Sequence, residues 1–167
     1  MMKISKIREV NTPTRGTEKS AGIDFYVPNL SSETFANDLV KANQHTSIVM
    51  PNHDKILLPA HTRILIPSGI KVEVPKNHAL IAFNKSGVSS KLGLDLLASV
   101  VDEDYQGEIH ISIYNTTNNP IVIESGQKII QFLLVPVRYD EIDEVPIEEL
   151  HCKKTKRGIG GFGSTGG

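Results

Sequence analysis

The sequence predicts an all-β protein, a barrel or sandwich of short strands, and three observations carry that prediction. Four short apolar runs, Lys55 to Leu58, Thr62 to Pro67, Ile70 to Val74 and Ala79 to Phe83, are punctuated by Pro59, Pro67-Ser-Gly69 and Pro75-Lys-Asn77. Ile109, Ile111 and Ile113 fall on one face of a segment while His110, Ser112 and Tyr114 fall on the other, the period of two that marks a half-buried strand. The 167 residues make one ordinary domain, long enough to bury a core without disulfide or structural metal.

From the N-terminus, Lys3 to Val10 alternates weakly and predicts a first strand. Asn11-Thr-Pro-Thr-Arg-Gly16 is turn chemistry, and Ala21 to Val27 is a second strand that Pro28 ends. Polarity rises over 29–55, which we read as an insertion. Within it Phe35, Ala36, Leu39 and Val40 have helical spacing behind Ser31 and Ser32 as N-caps, so a short helix is expected. After the four strands, Asn84 to Gly93 brings hydroxyls and glycines beside Lys85 and Lys91. That is either a simple turn or a loop that holds phosphate through hydroxyls, backbone N–H groups and a cation. Leu94 to Val101 leads into Asp102-Glu-Asp-Tyr-Gln-Gly107 and the alternating strand, and Asn115 to Pro120 loops into the last strands, Ile121 to Glu124 and Lys128 to Val137. Tyr139 to Leu150 is acidic, Lys153, Lys154, Lys156 and Arg157 are basic, and the end is rich in glycine.

A formal net charge of −1 argues against direct binding of nucleic acid through an overall basic field. Cys152 is the only cysteine, which suits a reducing compartment. His45, His53 and His61 recur at intervals of eight, a spacing of neither a helix face nor a zinc finger, so they read as satisfied or solvated histidines. With no run of eighteen apolar residues, no membrane is expected, and the cytoplasm is the expected location.

Taken alone, Asp102, Glu103 and Asp104 are a solvated turn, and the Gly-rich end is a flexible terminus. The end nevertheless carries Arg157, Phe162, Ser164 and Thr165, a fork for phosphate, a ring for a base and two hydroxyls, and such a tail could close over a nucleotide. It opens no helix and lacks a Gly-Lys-Ser/Thr ending, so P-loop and dinucleotide readings fail.

Five ordered stretches together resemble the trimeric deoxyuridine triphosphatase (dUTPase) family. They are Ala21-Gly-Ile-Asp-Phe25, Lys85-Ser-Gly87, Val100-Val-Asp-Glu-Asp-Tyr-Gln-Gly107, Gly126-Gln-Lys-Ile-Ile-Gln131 and Arg157 to Gly166. The resemblance implies a distorted jelly-roll-like β barrel over 1–150 in a homotrimer, with 151–167 as an arm closing over the site. It implies hydrolysis of dUTP to dUMP and pyrophosphate with Mg²⁺ on the triphosphate, a reaction that limits uracil incorporation into DNA and supplies dUMP for thymidylate synthesis. Asp102 would be the general base for water attacking the α-phosphorus, and Tyr105 would pack under the deoxyribose and exclude a 2′-hydroxyl. Ser99, Val100, Val101 and His110 would read uracil. Lys85, Ser86, Gly87 and Gln131 would hold the α and β phosphates, Phe162 and Gly163 would close over the base, and Arg157, Ser164 and Thr165 would take the γ phosphate. Asp24 would act on the metal through water. The chain departs from the family pattern at Lys85, where Arg is usual, at Leu97 and Ser99, where Gly is common, and at Gln127, where an acid is usual. A dUTP-gated interaction protein, with 29–55 contacting a protein partner, and a dCTP deaminase relative are the alternatives.

Overall fold

Thirteen strands and three helices form among the residues that the computed structural model describes, 1–44, 49–52, 54–151 and 153–160, with 49–52 described as backbone alone. In chain order they are β1 (Lys3–Lys6), β2 (Thr14–Arg15), β3 (Ile23–Tyr26), α1 (Glu33–Ala42), β4 (Val49–Asn52), β5 (Lys55–Leu58), β6 (Arg63–Pro67) and β7 (Ile70–Glu73). There follow β8 (His78–Asn84), α2 (Ser86–Leu92), β9 (Leu94–Leu96), β10 (Val100–Val101), β11 (His110–Asn115), β12 (Ile121–Glu124), β13 (Lys128–Pro136) and α3 (Ile147–Leu150).

The strands pair antiparallel in four small sheets, β1-β7, β10-β8-β13-β3-β2, β6-β11-β9 and β12-β5-β4. They wrap one core as a distorted jelly-roll-like barrel. Alternation places Ile56 and Leu58, Ile64 and Ile66, Ile111 and Ile113, and Ile121 and Ile123 inward, all buried. Phe25 and Phe132 pack ring on ring at 4.5 Å beneath the five-stranded sheet.

The expected helix in 29–55 is α1. Ser32 is its N-cap, accepting from the Phe35 N–H, and Phe35 and Leu39 are fully buried. Asn43, just past its end, donates to the carbonyls of Leu39 and Leu65 at 2.7 and 2.8 Å and accepts from the Leu65 N–H at 2.8 Å, stitching the helix to β6. The first strand ends at Lys6 rather than Val10, because the Ile7 N–H turns to the Gly69 carbonyl at 2.9 Å and carries Arg8 inward. The stretch from Asn84 to Gly93, read as a turn or loop, is largely the two-turn helix α2. Val88 and Leu92, four residues apart, lie against the core, and Gly93 closes the helix in the left-handed conformation at φ 69°. His61 is hydrogen-bonded to Asn118 at 2.8 Å, while His45, His53 and Cys152 lie outside the described residues. No helix among the described residues is long and apolar enough to cross a membrane.

Candidate active site

The turn that follows β10 is built by its own backbone and held by side chains around it. The Tyr105 N–H reaches the Asp102 carbonyl at 3.3 Å, and Glu103 accepts from the Asn77 N–H at 2.6 Å and the Tyr139 hydroxyl at 3.1 Å. Partial desolvation, and then the bond to Glu103, raises the Tyr139 pKa above its ordinary value. Tyr105 lies over Gly107, where an added Cβ would stand 2.3 Å from the phenolic oxygen; only glycine lets the ring fold back there. The Tyr105 hydroxyl donates to the Glu108 carbonyl at 2.8 Å, and His110 Nδ1 meets the same oxygen at 2.9 Å.

A cavity of about 210 Å³ opens beside this turn, lined by Ser99, Val100, Val101, Asp102, Tyr105 and His110 over the apolar floor of Leu65, Ile109 and Phe132. The Ala82 N–H donates to the Ser99 carbonyl at 2.7 Å and β10 pairs with β8, so the main chain on one wall is rigid. Leu97 is exposed and lines a neighbouring cavity with Ala42 and Arg63, Leu65 being common to both. Among the described residues no hydrogen bond or ion pair holds the Asp102 carboxylate.

A second cluster surrounds Asp24 on β3. This side chain is 5% exposed and lies between Lys85, in a very short contact, and Lys128 at 3.2 Å. Burial pushes its pKa up, but hydrogen bonds and charge from Lys85 and Lys128 outweigh that and hold it below the ordinary value. Gln131 stands opposite Asp24 in the β13–β3 register and donates to the Asn84 carbonyl at 2.8 Å. Gly22 makes room for it, since a Cβ there would fall 2.0 Å from the Gln131 amide oxygen. Ser86 and Gly87 open α2 beside Lys85, their N–H groups in the first turn, and a Cβ on Gly87 would meet nothing within 4 Å. Gln127, at the departure from the usual acid, accepts from the Glu124 N–H at 3.1 Å and closes the turn before β13.

Successive strand residues face opposite ways, so Phe132 in the cavity floor and its neighbour Gln131 lie on opposite faces of the five-stranded sheet. One chain therefore carries two separate clusters, Asp102 with Tyr105 and His110 on one face and Asp24 with Lys85 and Gln131 on the other. Arg157 is exposed and donates to the Gly160 carbonyl at 2.9 Å; Phe162, Gly163, Ser164 and Thr165 lie outside the described residues. Glu103 and Glu108, which brace the turn, and Lys128 beside Asp24 were not singled out by the sequence. An acid set between Gly107 and the apolar Ile109 was the one available signal for Glu108.

The dUTPase family model matches residues 47–166. The chain belongs to the dUTPase family. The deoxyuridine 5'-triphosphate nucleotidohydrolase of Wolbachia pipientis is 33% identical over 166 residues, 98% of this chain and 92% of that protein. The like-named protein of Paramecium bursaria Chlorella virus 1 is 42% identical over 82 residues, 49% of this chain, and the alignment spans only 55% of that relative's length. Among solved structures, a mutant dUTPase of Staphylococcus bacteriophage 80alpha with dUpNHpp superposes with a TM-score of 0.75 at 21% identity, covering 99% of this chain and 98% of that one. At that identity the likeness concerns the dUTPase fold, and it agrees with the barrel.

For a divalent cation, no group of three His, Cys, Asp or Glu side chains suited to hold a metal occurs among the described residues. What the cluster around Asp24 offers is a carboxylate and the Gln131 amide. Such hard oxygen donors suit the water shell of a Mg²⁺ that arrives on a phosphate chain, not a metal caged by protein alone.

Proposed function

We propose that this member of the dUTPase family hydrolyses dUTP to dUMP and pyrophosphate at the cavity beside Asp102. The observation that carries the reading is a carboxylate unpaired among the described residues at a rigid strand end, next to a tyrosine folded flat over Gly107 at the rim of a small cavity. Asp102 takes a proton from water, whose oxygen attacks the α-phosphorus; the bond to the bridging oxygen breaks, and the electron pair leaves with pyrophosphate. At about 210 Å³ the cavity is smaller than the ~300–1,000 Å³ usual for whole-ligand sites, so it takes the base and sugar and leaves the triphosphate outside. Tyr105 lies beneath the deoxyribose, where a 2′-hydroxyl would clash. Main-chain groups of Ser99 to Val101 and of His110 pair with uracil.

Phosphate oxygens fall to Lys85, the N–H groups of Ser86 and Gly87, and Gln131. Asp24 would hold the water shell of a Mg²⁺, and the ion, when bound, would supply charge neutralisation for the phosphates. Because the two clusters face opposite ways, a complete site needs a second copy of the chain. Val100 and Phe83, apolar yet 61% and 45% exposed on the same face as Gln131, support such an assembly, and a homotrimer with residues 151–167 closing over the site is the arrangement we propose. Arg157, Ser164 and Thr165 then reach the γ phosphate and Phe162 the base. The family match favours neither the dCTP deaminase nor the interaction-protein alternative.

Pyrophosphate release with Mg²⁺ from dUTP, dCTP, dTTP and UTP, offered separately, tests this. Turnover of dUTP alone is expected. Equal turnover of UTP would remove the role of Tyr105, and no turnover of dUTP would remove the function.

A further inference from the structure

Arg8 joins three segments that are far apart in sequence. Its Nε and Nη2 donate to Glu108 Oε1 and Oε2, each at 2.8 Å, and Nη2 also donates to Asp38 Oδ2 on α1 at 3.0 Å. The guanidinium carbon lies 5.8 Å from the centre of the Phe35 ring on the same helix. The arginine and glutamate side chains are 17% and 11% exposed, so the fork is a largely desolvated contact in which planar geometry matters. Glu108 Oε1 also accepts from the Gly69 N–H at 2.7 Å. The side chain of Glu108 is thus held at three points, while its main-chain carbonyl bonds the Tyr105 hydroxyl and His110 Nδ1, the two rings at the wall of the Asp102 cavity.

We propose that Arg8 and Asp38, acting through Glu108, are positioning residues that seat the Tyr105 and His110 rings, so that helix α1 sets how strictly the site distinguishes deoxyribose from ribose. Helix α1 therefore belongs to the specificity apparatus, at one remove from substrate. The inference rests on the reading of this cavity as the nucleoside site.

Three variants test it: Arg8→Lys, which keeps the charge and loses the fork; Asp38→Asn, which loosens the helix contact at a side chain one-third exposed; and Val40→Ala, an exposed control on the same helix. Each is assayed for kcat and KM with dUTP and UTP, and the His110 and Tyr105 ring resonances are followed by NMR. Expected for R8K is a KM for dUTP raised about 10-fold, kcat within about 2-fold, and a preference for dUTP over UTP lowered by about 10- to 100-fold, the scale of a small misplacement of substrate. D38N should move the same quantities in the same direction but less, and V40A none of them. Wild-type KM, selectivity and ring resonances in R8K would overturn the proposal; if R8K does not fold, the same readouts in D38N decide it. Should the wild type fail to turn over dUTP, the proposed function falls separately. The ring resonances then decide the positioning: displaced in R8K they uphold it, unmoved they overturn it.

Discussion

Asp102 and Asp24 are both carboxylates of the proposed site, and their surroundings suit them to different work. Asp24 is buried between two lysines, held ionised and engaged, whereas Asp102 stands at a strand end with its carboxylate unpaired among the described residues. A residue with access to water and no competing partner can accept a proton; one locked between cations can only orient. Asp102→Asn should therefore keep the fold and the binding of dUMP while pyrophosphate release falls by about 10²–10⁴, the usual contribution of a general base. Gly107→Ala should act on the substrate's seat instead, because a Cβ 2.3 Å from the Tyr105 hydroxyl must push the ring out. A raised KM for dUTP with near-normal melting is the expected result, and an unchanged KM would show that the ring does not touch the sugar. Both residues were visible in the sequence, since acids and a glycine crowd one turn between two strands. Glu108 was not, because its value lies in partners 100 and 39 residues away along the chain.

Among the elements, α1 announced itself through apolar residues at helical spacing and a serine cap, and the structure places it at 33–42. The shorter α2 did not, because a two-turn helix with one apolar pair has too few repeats to show a period, and its serines favour turns as readily. Its shape nonetheless matters, since a helix start lines up the N–H groups of Ser86 and Gly87 beside Lys85. Asn43 is the fastener between α1 and the barrel. Asn43→Ala would leave the Leu65 N–H and carbonyl without their partner in a partly buried place, a loss toward the lower end of the about 1–3 kcal/mol for an unsatisfied group. Urea denaturation should show a lower midpoint with an unchanged slope; a variant as stable as the parent would mean that water replaces the amide there.

For the whole molecule, removal of residues 157–167 should leave the barrel folded with the same sedimentation behaviour but with activity severely reduced, since the described residues 157–160 add no buried side chain to the core. Normal turnover by the truncated chain would end the arm's role. Acid should unfold the protein through its paired carboxylates. Asp24 and Glu108 are pushed up by burial and, more strongly, held down by Lys85, Lys128 and Arg8, so each folded pKa lies below the ordinary values of 3.8 and 4.5. Their stabilisation is fully present above those values and is lost as the pH falls through them toward the depressed folded pKa. The urea midpoint should accordingly hold at neutral pH and drop below about pH 4.5, more gently in Asp24→Asn, and an identical acid profile in that variant would refute the assignment. Strand class, the short helix, the turn chemistry and the cluster of acids around Asp102 were determined by the sequence alone, because alternation, capping and turn residues are local properties of neighbouring side chains. The tertiary structure alone decided that Arg8, Asp38 and Glu108 meet, that Lys85 and Lys128 enclose Asp24, and that Gln131 turns its back on the Asp102 cavity. Each of these depends on which strands pair and in what register, and pairing between distant segments is chosen by the burial of the whole core, which no local pattern records.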